Sequence, residues 1–127
     1  MKILAAIAIS LLCSSAAFAG ALPMQEGACV WTKISKLEHR LQNGEHGPMI
    51  PDSGSAVAFA NGGYQVSYDE VDAVHHAHTG DRALMCLISI PHPCPPGDAR
   101  GRWYTTTDLR TMESWTMMDS EHSCGGA

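Results

Sequence analysis

The stretch Leu84–Tyr104, LMCLISIPHPCPPGDARGRWY, constrains this chain more than any other. Ala83–Ile90 is apolar at both parities, with Leu84, Cys86, Ile88 and Ile90 on one side and Met85 and Leu87 on the other. That pattern predicts a strand buried on two faces, either central in a sheet or curled inside a barrel. Pro91, Pro93, Pro95 and Pro96 must end it, because proline has no N–H to give to a ladder. The chain then turns at Gly97-Asp98 and re-enters strand through Arg102-Trp103-Tyr104. Cys86 and Cys94 flank the proline bend with seven residues between them.

Other segments read as short strands separated by turn residues. Cys29–Lys36 alternates Val30, Thr32 and Ile34 against Trp31, and β-branched and aromatic residues suit a pleated surface. Beyond Ile34 the pattern fits a helical stripe (Ile34, Leu37, Leu41) equally well. Gln42–Gly54, with three glycines and two prolines and no period, is a loop. Ser55–Tyr68 predicts a hairpin, because Asn61-Gly62 favours a tight type I′ turn. A turn there sets Phe59 opposite Tyr64 and Val57 opposite Val66; a turn at Gly62-Gly63 sets Phe59 opposite Val66. Either way the apolar side chains share one face.

Asp69–Ala77 reads as a short helical turn capped by Asp69, with Val71 and Val74 inward. Arg102–Leu109 and Ser114–Met118 are a second strand pair, with Trp115 and Met117 on one face. Five or six short strands with one helical turn predict a mainly β domain, a small antiparallel barrel or roll. The three tryptophans, Trp31, Trp103 and Trp115, are expected in its core.

The N-terminus reads as a separate unit. Lys2 precedes the uncharged apolar run Ile3–Leu12, and Ala17-Phe18-Ala19 is an A-x-A cleavage site, so residues 1–19 are expected to be a secretory signal peptide. Residues 20–127 then form one domain, periplasmic or secreted, without membrane insertion after signal removal. The formal charge is −5, and loss of Lys2 makes it −6. An acidic balance argues against nucleic acid as a partner.

Cys13 falls in the leader, and Cys29, Cys86, Cys94 and Cys124 remain. Four cysteines in a small exported domain predict two disulfides, with three connectivities open. Pairing Cys86 with Cys94 and Cys29 with Cys124 is favoured, since it would clamp the bend and tie the tail Asp119–Ala127 to the first strand.

The motifs NGGYQVSYD, CPPGD followed by RG, LRT followed by SW, and the terminal CGG resemble those of small exported proteins encoded in many α-proteobacteria. The resemblance spans most of the mature chain. It implies export and a compact disulfide-linked domain, and carries over no site residues.

Seven histidines are the other unusual feature. His75, His76 and His78 are dense enough to suggest a metal tract, and Zn or Cu would need a third or fourth ligand from elsewhere. The competing reading is a solvated polar loop. Asp98, Arg100, Arg102 and Arg110 crowd the turn after the bend, where they would either grip an anionic partner or pair locally. No G-x-S-x-G elbow, H-E-x-x-H helix or phosphate loop is present. No catalytic residue and no cofactor are therefore assigned, and a small hydrolase would need a triad or carboxylate pair assembled in space. The leading expectation is a non-enzymatic exported binding domain for a protein or small-molecule partner, presenting Gln42–Gly54 and Pro91–Gly101. Metal binding through His75, His76 and His78 is the alternative.

Overall fold

A computed structural model describes residues 20–126; the signal-peptide reading lies outside the described residues. The described residues form six strands: β1 (Cys29–His39), β2 (Ser55–Phe59), β3 (Tyr64–Val66), β4 (Arg82–Ser89), β5 (Trp103–Asp108) and β6 (Ser114–Met118). One short helix, α1 (Asp72–His76), lies between β3 and β4. The order β1-β2-β3-β6-β5-β4 closes on itself, with every neighbouring pair antiparallel. The fold is thus the expected small antiparallel barrel. β1, β2 and β3 form a meander, and β4 returns beside β1 in Greek-key order. The β5–β6 hairpin then closes against β3, which removes the free edges an open sheet would present.

β1 is one continuous strand, and a register shift between Ile34 and Lys36 explains its broken pattern. Its first half pairs with β4 and its second with β2. The irregularity changes the alternation by one residue, so Ile34 is buried and Leu37 also turns toward the core. The helical stripe was an effect of that bulge. α1 is shorter than expected and begins after Val71, which makes no side-chain cap; Asp69 does not cap it. Val74 is buried as expected.

The barrel is filled by alternate residues: Ile34, Val57, Phe59, Met85, Leu87, Tyr104, Trp115 and Met117. β4 is buried on its inner face only. Ala83, Met85 and Leu87 point in, whereas Ile88 is exposed, because closure leaves no second layer outside. Of the tryptophans only Trp115 is in the core. Trp31 and Trp103 sit at outward parity and are 51% and 41% exposed.

The hairpin has neither expected register. Phe59 pairs with Gly63 across a loop of Ala60, Asn61 and Gly62, with Gly62 at φ 84°. Three loop residues in place of two displace β3 by one, giving Val57 opposite Gln65 and Ala58 opposite Tyr64. Tyr64 therefore faces outward and Gln65 points into the barrel, fully buried.

Gln65 is satisfied on both ends. Its Nε2 donates to Tyr104 O (2.8 Å) and Met117 O (3.2 Å). Its Oε1 accepts from Thr106 Oγ1 (2.7 Å) and Trp115 Nε1 (2.9 Å). β3 and β6 share one residue pair, Val66 with Met118. The Gln65 side chain thus joins β3 to β5 and β6 where the barrel's ladder is shortest.

The disulfides are Cys29–Cys86 and Cys94–Cys124, which corrects the favoured pairing. Cys29 and Cys86 are direct cross-strand partners on β1 and β4, with Cα atoms 4.0 Å apart. The Greek-key return of β4 beside β1 brings them together, and this long-range pairing cannot be inferred from spacing. Cys94 then takes Cys124, so the tail is tied to the bend and not to the first strand.

Candidate recognition site

None of residues 91–100 is buried, so the proline bend contributes nothing to the core. Cys94–Cys124 nevertheless ties it to the C-terminal tail. Arg100 Nε and Nη2 donate to the two oxygens of Asp98 at 2.9 Å each. Asp98 also accepts from Gly125 N (2.9 Å), and Arg100 Nη2 reaches Gly126 O (3.0 Å). The Arg100 hydrogen bonds, helped by Gly125 N–H, hold the Asp98 carboxyl well below the usual carboxylate range. The tail is therefore not a free end held by Cys124 alone. It also lies against Gly101, where a Cβ would stand 2.5 Å from Ser123 Oγ. Asp119 Oδ1 accepts from Gly101 N (2.8 Å) and Arg102 N (3.2 Å), fixing the exit of the bend.

Of the crowded charges of this region, Asp98 and Arg100 pair locally and Arg110 pairs at a distance. Asp98 takes Arg100, and Arg110 reaches across to Asp81 (Nε to Oδ2, 3.0 Å) and to His76 O (2.6 Å). The first loop is also ordered from within: Gln42 Nε2 donates to Gly47 O (2.8 Å), Asn43 N to Pro48 O (2.9 Å), and Arg40 Nε to Ser53 O (2.7 Å). Arg40 Nη1 bonds Glu121 (2.9 Å) and so links the base of that loop to the tail.

Beside the bend, the short β3–β6 seam leaves a cleft of about 300 Å³. Tyr68, 55% exposed, and Trp103 line it, with Asp69 and Glu121 among its polar residues. Ser120 is shared with an open depression of about 610 Å³ formed by Pro96–Arg100. The bend and the cleft thus adjoin at Ser120.

Comparison with protein-family models, with curated proteins and with solved structures finds no match to this chain. Its function must be read from its own geometry.

The three histidines of the metal alternative are divided among different partners. His75 Nε2 bonds Glu70 Oε2 (2.7 Å), His76 Nδ1 bonds Glu113 (3.0 Å to each oxygen), and His78 engages Asp81 only through its backbone N–H (2.7 Å). Among the described residues, no three His, Cys, Asp or Glu side chains converge on a metal position. Glu70 instead joins His75 to His39, whose Nδ1 lies 3.1 Å from Oε1. Partial burial opposes ionisation of Glu70, but hydrogen bonds from Gly54 N–H, His39 and His75 outweigh it and lower its pKa. Glu70 therefore stabilises the fold above its unfolded pKa, and that contribution is lost as pH falls through the lower folded value. Among the described residues no serine hydroxyl bonds an imidazole, and all four cysteines are crosslinked.

Asp108 was not singled out by sequence. It is fully buried; Oδ1 accepts from Arg110 N (2.8 Å), and Oδ2 meets no hydrogen-bond donor among the described residues. Burial, together with the neighbouring Asp81 charge, raises its pKa. A raised carboxyl favours the fold below its unfolded pKa, and that preference is lost as pH rises through the folded value. Asp108→Asn keeps the Oδ1 acceptor and removes this titration. Urea unfolding as a function of pH is expected to show a flatter profile above about pH 4 for Asp108→Asn than for the natural chain. An unchanged profile would place the buried charge elsewhere.

Proposed function

We propose that this chain is a non-enzymatic exported binding domain, and that the clamped bend Pro91–Gly101 and the adjoining cleft form its recognition surface, with Gln42–Gly54 beside them. One observation carries the reading: residues 91–100, none of them buried, are fixed by a disulfide, a bidentate Asp–Arg pair and two tail contacts. Such stiffness adds little to a core that does not include the bend. It is useful where a loop must meet a partner already shaped, because a preordered loop loses less entropy on binding. Two disulfides support an oxidising compartment, periplasmic or extracellular. The acidic charge supports a protein partner over nucleic acid.

Immobilised processed protein should retain a saturable partner from periplasmic extract of the native host. The doubly substituted Cys94→Ser, Cys124→Ser chain, whose barrel is intact but whose bend is released, should hold that partner about tenfold more weakly or worse. The reading fails if no saturable partner is recovered, or if releasing the bend leaves affinity unchanged.

A further inference from the structure

We infer that the Tyr68–Trp103 cleft receives a cationic side chain, lysine or arginine, of the protein partner; the inference rests on the binding reading above and adds the chemistry of the contact. The cleft combines two exposed aromatic rings with carboxylates, the combination that holds an organic cation by its π faces and by charge. The chain already contains one such contact at this edge. Its own Arg40 guanidinium stacks 4.3 Å from the centre of the Tyr68 ring while Nη1 bonds Glu121 at 2.9 Å.

A second carboxylate remains. Asp69 is exposed, lines the same cleft, and its side chain meets no hydrogen-bond donor or cation among the described residues. Trp103 stands on the β5 side of the cleft and is also exposed. Arg40, the cation at this edge, is taken up by Glu121 and the Tyr68 ring, so an anionic group entering the cleft would meet the Asp69 carboxylate without a free compensating charge among the described residues. The net charge of −5 acts in the same direction over longer range, drawing a basic surface toward the barrel.

Fluorescence anisotropy of a labelled pentalysine peptide, with pentaglutamate as control, tests this on the full processed chain at low salt. Saturable binding of pentalysine alone is expected. It should weaken about tenfold in Asp69→Asn and in Trp103→Ala. Trp31→Ala should leave it unchanged, since that exposed ring lies on β1 beside its own Arg82 (5.7 Å). Glu45→Gln, which removes an exposed charge outside the cleft, should also leave it unchanged. Absence of saturable binding overturns the inference, as does an equal loss in Glu45→Gln and Asp69→Asn. Asp69→Asn changes an exposed side chain and keeps the fold, so its result stands even if Trp103→Ala folds poorly. A partner captured from extract with equal affinity by the natural chain and Asp69→Asn would sink the cleft assignment and leave the binding-domain reading in place.

Discussion

Gln65→Leu is expected to lower the unfolding free energy by about 3–5 kcal/mol, a large share of the stability of a domain this size. The leucine fits a barrel interior by volume and polarity, so a reading based on hydrophobicity alone would expect a gain. The hydrogen-bond inventory decides otherwise. Trp115 Nε1 and the Thr106 hydroxyl lose their shared acceptor, and the carbonyls of Tyr104 and Met117 lose a donor, all inside a closed barrel. Each stranded buried group costs roughly 1–3 kcal/mol.

The triple variant Gln65→Leu, Thr106→Val, Trp115→Phe removes the polar partners together and should recover part of the loss, because two apolar replacements strand no donor. Chemical unfolding with a double-mutant analysis checks both statements. A loss below about 1 kcal/mol for Gln65→Leu would show that the network does not hold β3 against β5 and β6.

The second large effect belongs to Cys29–Cys86. Removing it by paired serine substitution should cost about 3–4 kcal/mol, since it closes a loop with a sequence separation of 57 and joins two strands of the barrel wall. For a domain of this length that is a fall in Tm of more than about 10 °C. The Cys94–Cys124 crosslink closes a shorter loop, with a separation of 30. Its removal also relaxes the folded state, because neither residues 91–100 nor the tail after Asp119 contain a buried residue. The entropy regained by the unfolded chain is thereby partly matched in the native one, and a smaller fall in Tm is expected than for Cys29–Cys86. Comparable losses from the two pairs would mean that the bend carries structural weight that its exposure does not suggest.

The strands were legible from alternation because a barrel wall is buried on one side only. Tyr104, Thr106, Trp115 and Met117 follow that rule without exception, and the proline run marked the end of β4 correctly. Errors arose where one residue decides parity. The bulge after Ile34 imitated a helical stripe, and one extra loop residue at Ala60–Gly62 turned Gln65 inward and Tyr64 outward. Closure itself was the other source of error. It left Ile88, Trp31 and Trp103 facing outward, positions that composition alone assigns to a core. The bend and its flanking residues were visible as a surface in the sequence. The cleft was not, because Tyr68, Asp69, Trp103 and Glu121 meet only where β3 and β6 barely pair. The division of His75, His76 and His78 among Glu70, Glu113 and Asp81 likewise depends on which strands face α1.

Disulfide mapping of the non-reduced chain over residues 20–127 tests the account most directly. Trypsin leaves Cys29 in peptide 20–33, both Cys86 and Cys94 in peptide 83–100, and Cys124 in peptide 111–127. Cys29–Cys86 with Cys94–Cys124 predicts a single species linking all three. Further cleavage after Leu87 should part it into a pair containing Cys29 and Cys86 and a pair containing Cys94 and Cys124. A free 83–100 peptide closed on itself, beside 20–33 joined to 111–127, would contradict both the barrel closure of β4 on β1 and the clamped bend.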